Sequence, residues 1–149
     1  MSGPGEFFSW AEVQRSAHAR RWNIDNTAGP DIQWAAQAWC KHFGDPLRRL
    51  IGPITPTSWF RCLDLNRAVG SRDSSQHPRG EAVDFKSGVM TAEEIAQVVR
   101  AAGLPFDQFF GYEPKTGRPC VHVSYTMRRR NRGQFWWQPA EGKPHLWDF

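Results

Sequence analysis

Two histidines and one aspartate carry the most informative chemistry in the chain. His77 stands in Ser75-Gln76-His77-Pro78-Arg79-Gly80-Glu81-Ala82-Val83-Asp84, so a carboxylate follows it seven residues on, and His122 stands in Cys120-Val121-His122-Val123. A histidine on a loop and an aspartate on the next strand can converge on one point, and a histidine on another strand can complete a set of three. Two imidazoles and a carboxylate suit zinc, with a fourth position left for water, which is the arrangement of a catalytic site. Zinc there would acidify the water and polarise a scissile carbonyl. The same spacing also describes an exposed loop histidine with a turn-capping aspartate, and spacing alone leaves both readings open. His18 and His42 fall on expected helices and His145 on the tail, so each reads as a surface or packed residue. Cys120 shares a strand face with His122. It could add a soft ligand that closes the site, but a small buried hydrophobe is the preferred reading.

The elements that must position these residues are legible in part. Ser9 and Glu12 form a capping box that starts a helix expected to reach about Arg20. Asp31 is expected to cap a second helix with Ile32, Ala35, Ala36 and Trp39 on one side. Gly44-Asp45-Pro46 is expected to interrupt it, Asp45 capping a new segment through Leu50. Ile51 to Phe60 reads as a loop with a short strand near Ile54 or Trp59, and Leu63 to Val69 as helical turns closed by Gly70. Ser71 to Gly80 is polar and turn-rich, and Ala82 to Phe85 is a short strand. Thr91 and Glu94 box the clearest helix, to Ala102, with Gly103 after it. Phe106 to Tyr112 and Cys120 to Tyr125 read as a hairpin around the turn at 114–119. The tail from Met127 is basic and then aromatic, without a period.

Composition bounds the rest. At 149 residues, with 40% hydrophobic and 23% charged side chains, the chain can bury one ordinary core. The expectation is a single α+β domain over 1–149, helices packed on a small antiparallel sheet. Residues 1–6 are expected as a flexible start and 127–149 as a tail packed on the domain. Eight Trp and ten Phe are many for this length; they can fill a core, and some are candidates for lining a groove. Nineteen basic against 15 acidic side chains leave a net charge of +4, favouring polyanionic surroundings. Three cysteines without short spacing argue against a disulfide scaffold. No basic-then-apolar leader and no membrane-length apolar run are visible, so synthesis in the cytoplasm without a signal peptide is expected.

The pattern Ser-x-His-x-x-Gly-x-Ala-x-Asp, met here by Ser75, His77, Gly80, Ala82 and Asp84, resembles the D-alanyl-D-alanine metallopeptidase family. That family includes cell-wall carboxypeptidases and many phage endolysins, on a small α+β fold shared with lysostaphin-type enzymes and hedgehog signalling domains. Trp59 to Gly70 resembles the family's Arg-containing turn and following Asn-x-x-Val-Gly segment. Phe106-Asp107-Gln108 and Val121 to Tyr125 resemble its last hairpin, and Phe8 to Asn26 its N-terminal helices in the compact phage branch.

The resemblance implies His77, Asp84 and His122 as zinc ligands, Arg61 as the group that binds and polarises substrate carbonyl or carboxylate, and Ser75 as a support or substrate contact. Gly80 and Ala82 are better explained by a tight turn and close packing. Several relatives carry an acid three residues before the last ligand; here that position is Pro119, which cannot act as a base. Glu113 is the substitute, with Asp107 the runner-up on the same strand face. A plain ion pair with Asp64 or another surface acid is the alternative role for Arg61. The implied activity is zinc-dependent hydrolysis of peptidoglycan peptides, bacteriolytic and of carboxypeptidase or endopeptidase type. The protein would act at the wall as a monomer, after holin-mediated release if it is a phage lysin, without membrane insertion or specific nucleic-acid binding. The alternative is a non-catalytic, zinc-containing wall-binding module. For the cluster of Arg128, Arg129, Arg130 and Arg132 with Phe135 to Trp137, wall contact or packing is expected in preference to nucleic acid.

Overall fold

Ser9 opens the first helix, α1 (Trp10–Gln14), through the expected reciprocal bonds with Glu12. The helix does not run on to Arg20. Arg15 is extended, and the Ser16 hydroxyl re-caps a separate α2 (Ala17–Arg21) by accepting the Ala19 N–H. α3 (Pro30–Trp39) is capped at Gly29 with Pro30 in its first turn, so Asp31 lies inside the helix and not at its cap. The expected interruption at Gly44 is no break either. A π-helical turn, Cys40–Gly44, carries the chain straight into α4 (Asp45–Ile51). The wider turn absorbs the hydrogen bond that Pro46 cannot donate. Asp45 is freed from capping, and its carboxylate instead accepts the N–H groups of Glu6 and Phe7.

The computed structural model of the protein describes residues 3–118 and 121–149. Six strands follow the first helices: β1 (Ile54–Ser58), β2 (Ala82–Ser87), β3 (Gln108–Tyr112), β4 (Val121–Ser124), β5 (Gln134–Gln138) and β6 (His145–Leu146). They form one sheet in the order β1-β2-β4-β3-β5-β6, antiparallel except for β3 and β5. Pro56 is tolerated because β1 is an edge strand. α5 (Leu63–Ala68) follows β1 and is closed by Gly70 at φ 83°, and α6 (Ala92–Ala102) has the expected capping box and ends at Gly103.

Strand alternation separates core from site. Val83, Phe85, Phe109, Val121 and Val123 enter one buried cluster with Trp39, Phe43, Ile95 and Val99. Trp39 also donates its indole N–H to the Val123 carbonyl at 3.1 Å, tying α3 to β4. Asp84, Phe110 and His122 belong to the opposite face of the same strands. The architecture is an α+β fold with helices on a mostly antiparallel sheet.

The tail is where pattern reading was least informative. β5 and β6 extend the sheet, and Phe135, Trp137, Trp147 and Phe149 pack against the core. Much of the basic cluster pairs inward. Arg128 forks onto buried Glu81 at 2.9 Å, and Arg129 and Arg132 both grip the fully buried carboxylate of Asp107. At the other end, Pro4 is buried and Glu6 pairs with Arg49, so residues 3–6 lie against the helices. Among the described residues no helix is long and apolar enough to cross a membrane.

Candidate metal centre

One rung of the sheet builds most of the site. Ser58 on β1, Asp84 on β2 and His122 on β4 are successive cross-strand partners. His77 reaches the same point from a single 3-10 turn, His77–Arg79, that precedes β2. That turn is closed by Gly80 in the left-handed region at φ 72°, where a Cβ would lie 2.8 Å from the Ile32 side chain. Glycine is needed there for both reasons. Ala82 is fully buried, so both motif positions serve the turn and its packing.

The donor atoms of His77, Asp84 and His122 all lie within 4.8 Å of one another. Asp84 Oδ1 is 3.4 Å from His77 Nε2 and 2.6 Å from His122 Nδ1. His77 is buried, and its Nδ1 donates to the Trp59 carbonyl at 2.5 Å, which fixes the tautomer and turns the Nε2 lone pair to the cluster. Burial lowers the His77 pKa against the opposing pull of Asp84, so the imidazole is neutral at pH 7. Burial would raise the Asp84 carboxyl, but the two imidazoles beside it hold it below the usual carboxylate range. These are the protonation states a metal needs from its ligands. Tetrahedral zinc with bonds of ~2.0–2.1 Å separates its donors by about 3.3 Å, so the His77–Asp84 spacing fits as it stands.

Arg61 faces this cluster from the segment between β1 and α5. Its Nε donates to Asn66 Oδ1 at 3.1 Å and its Nη1 to Ser58 Oγ at 3.3 Å. Its hydrogen-bond partners are neutral, so the ion pair with Asp64 is not formed. Asn66 is fully buried and is itself anchored, donating to the Arg72 carbonyl. Burial pulls the Arg61 pKa down, while Asp84 and Tyr112 oppose that pull. The Arg61 N–H also bonds the His77 carbonyl, so the Trp59–Arg61 segment clasps the His77 turn. Ser75 Oγ accepts the His77 N–H at 3.2 Å.

Arg61, Ser75, His77, Asp84 and His122 line a cleft of about 430 Å³ together with Tyr112 and Arg118, two residues that pattern reading missed. Tyr112 lies two residues beyond Phe110, the partner of His122, and so shares its face. Burial, reinforced by Asp84, pushes the Tyr112 phenol up to about 12 against the pull of Arg118.

Neither expected base is in the lining. Glu113 follows the end of β3 and leads the 3-10 turn Pro114–Thr116, outside the cleft lining. Asp107 is held by Arg129, Arg132 and the Arg132 N–H at the far end of β3. Among the described residues Asp84 is the only carboxylate lining the cleft. Pro119 and Cys120 lie outside the described residues. The remaining histidines are elsewhere: His18 stacks on Trp22, His42 on Tyr125, and His145 is exposed on β6.

The family model described as Peptidase M15 matches residues 6–124. No curated protein matches the chain. The chain belongs to the peptidase M15 family, whose members are metal-dependent peptidases, and His77, Asp84 and His122 form a cluster that could bind the metal.

Proposed function

From membership of the peptidase M15 family we propose that the chain is a zinc peptidase of the endolysin type, cutting the peptide part of bacterial peptidoglycan. The observation that carries this reading is the convergence of two imidazole nitrogens and one carboxylate oxygen in a cleft that also presents Arg61. Zinc held by His77, Asp84 and His122 would supply a Lewis acid and an acidified water. Arg61, held by Asn66 and Ser58, binds the substrate's carbonyl or carboxylate with a charge-assisted fork. Tyr112 keeps its proton at neutral pH and donates a hydrogen bond toward the carbonyl oxygen or the leaving amine. Ser75 and the Trp59 carbonyl hold His77 in place. Arg61 and Arg118 suit the carboxylates of a stem peptide, and the net charge of +4 favours the anionic wall.

A second reading, a zinc-containing wall-binding module, is favoured by the lack of a second carboxylate among the described lining residues. Digestion of purified peptidoglycan with zinc-loaded protein, read by mass spectrometry, separates the two. New amine ends that vanish in a His77→Ala variant establish the peptidase, and the fragment masses name the bond. Intact wall with one zinc per chain promotes the binding module.

A further inference from the structure

The rung that carries Asp84 and His122 does not stop at the cleft. His122 pairs with Phe110 on β3, Phe110 with Trp136 on β5, and Trp136 with Leu146 on β6. At 4.7–4.9 Å per strand, this row runs about 14 Å from the candidate metal centre. Phe110 meets His122 edge-on at 5.7 Å and lies nearly parallel to Trp136 at 6.0 Å and 13°. Phe110 and Trp136 are only half-buried, and Leu146 is 63% exposed. Trp136 and Leu146 lie beyond the residues matched by the family model.

The charged groups of the cleft lie around the centre itself. Arg61 lies on the β1 side and Arg118 beside Tyr112. Further along the row, Trp136 has Gln134 and Gln138 as its same-face neighbours on β5, and Gln134 pairs with Gln108 on β3. Gln134 joins the shelf by accepting from Gln108 Nε2 at 3.1 Å and Trp136 Nε1 at 3.3 Å. We infer that Phe110, Trp136 and Leu146 form a subsite for the uncharged N-acetyl sugar that carries the stem peptide. This inference rests on the peptidoglycan reading. The stem's carboxylates would be desolvated without a partner on Phe110, Trp136 and Leu146, at a cost that directs them to Arg61 and Arg118. The sugar, whose lactyl carboxyl is consumed in the amide link, offers apolar C–H faces for the rings and polar groups for the glutamines.

The test compares two soluble substrates, a stem peptide and the same peptide joined to N-acetylmuramic acid, by calorimetric binding and by cleavage. Wild type is expected to bind the sugar-linked peptide at least about tenfold more tightly, the equivalent of ~1.4 kcal/mol. Trp136→Ala is expected to lose that preference while keeping free-peptide binding and zinc content. Trp136→Phe, which retains an aromatic face, is expected to keep most of it and controls for a folding defect. Equal binding of the two substrates by wild type, or equal losses on both in Trp136→Ala, overturns the subsite. A sugar preference lost with Trp136 but without cleavage of either substrate supports the subsite and sinks the peptidase, so the two failures are distinguishable.

Discussion

Lysine at position 61 would keep the charge but lose the fork that Asn66 and Ser58 now orient. Arg61→Lys is therefore expected to lower kcat/KM on a stem-peptide substrate by about 10–100-fold, in line with the ~1.5–3 kcal/mol of a charged hydrogen bond. Zinc content and melting temperature should change little; a protein that loses its metal would make Arg61 structural instead. Glu113 is expected to be dispensable, because it lies beyond the end of β3 and outside the cleft lining. Steady-state rates for Glu113→Gln should stay within about threefold of wild type, whereas a loss in the ~10²–10⁴ range would assign it proton transfer after all. The three residues that could hold the metal were readable as candidates because their residue types and the surrounding motif are specific. Tyr112 and Arg118 were not, since their part in the cleft depends on how the hairpin packs beside β2.

Gly80 shows how an element positions chemistry it does not perform. Its left-handed φ closes the His77 turn, and its missing Cβ lets that turn rest on α3 at Ile32. Gly80→Ala is expected to cost about 1–3 kcal/mol from overpacking and backbone strain. Zinc affinity should fall with it, because the turn can relieve the contact only by moving His77. Isothermal titration with zinc and a urea melt read both; a destabilised protein with unchanged affinity would detach the turn's packing from its ligand. Helices with caps at both ends, such as α6, were readable from local sequence. The α3–α4 run was not. Gly44 packs under Trp39, where a Cβ would lie 2.2 Å from the ring, and that contact comes from packing that no helix-stop rule describes.

Across the whole molecule, the C-terminal tail is bound to the sheet by two buried acids, Glu81 and Asp107. Asp107 sits at the rim of the fold, yet the heads of Arg129 and Arg132 seal its carboxylate from water. Burial would raise its pKa, but these partners hold it below the ordinary value near 3.9. A depressed acid stabilises the fold above its unfolded pKa and loses that contribution as pH falls through its folded value. Asp107→Asn is thus expected to cost about 3 kcal/mol at pH 7, the low end for breaking a buried pair whose arginines are partly exposed. The gap to wild type should narrow as pH drops below about 4. Urea midpoints at pH 7 and pH 2.5 check this, and a gap independent of pH would show that the loss is packing rather than charge.

Local patterns sufficed for the α+β class, for α6, for the β3–β4 hairpin and for the residue types of the metal cluster. Each depends on a period, a cap or a motif contained within a few neighbouring residues. Only the tertiary structure decided that the tail becomes β5 and β6, that Asp107 serves a clamp, and that Ser58, Asp84, His122, Phe110, Trp136 and Leu146 share one rung. Register between strands distant in sequence depends on the core that both faces must fill, and no single segment encodes it.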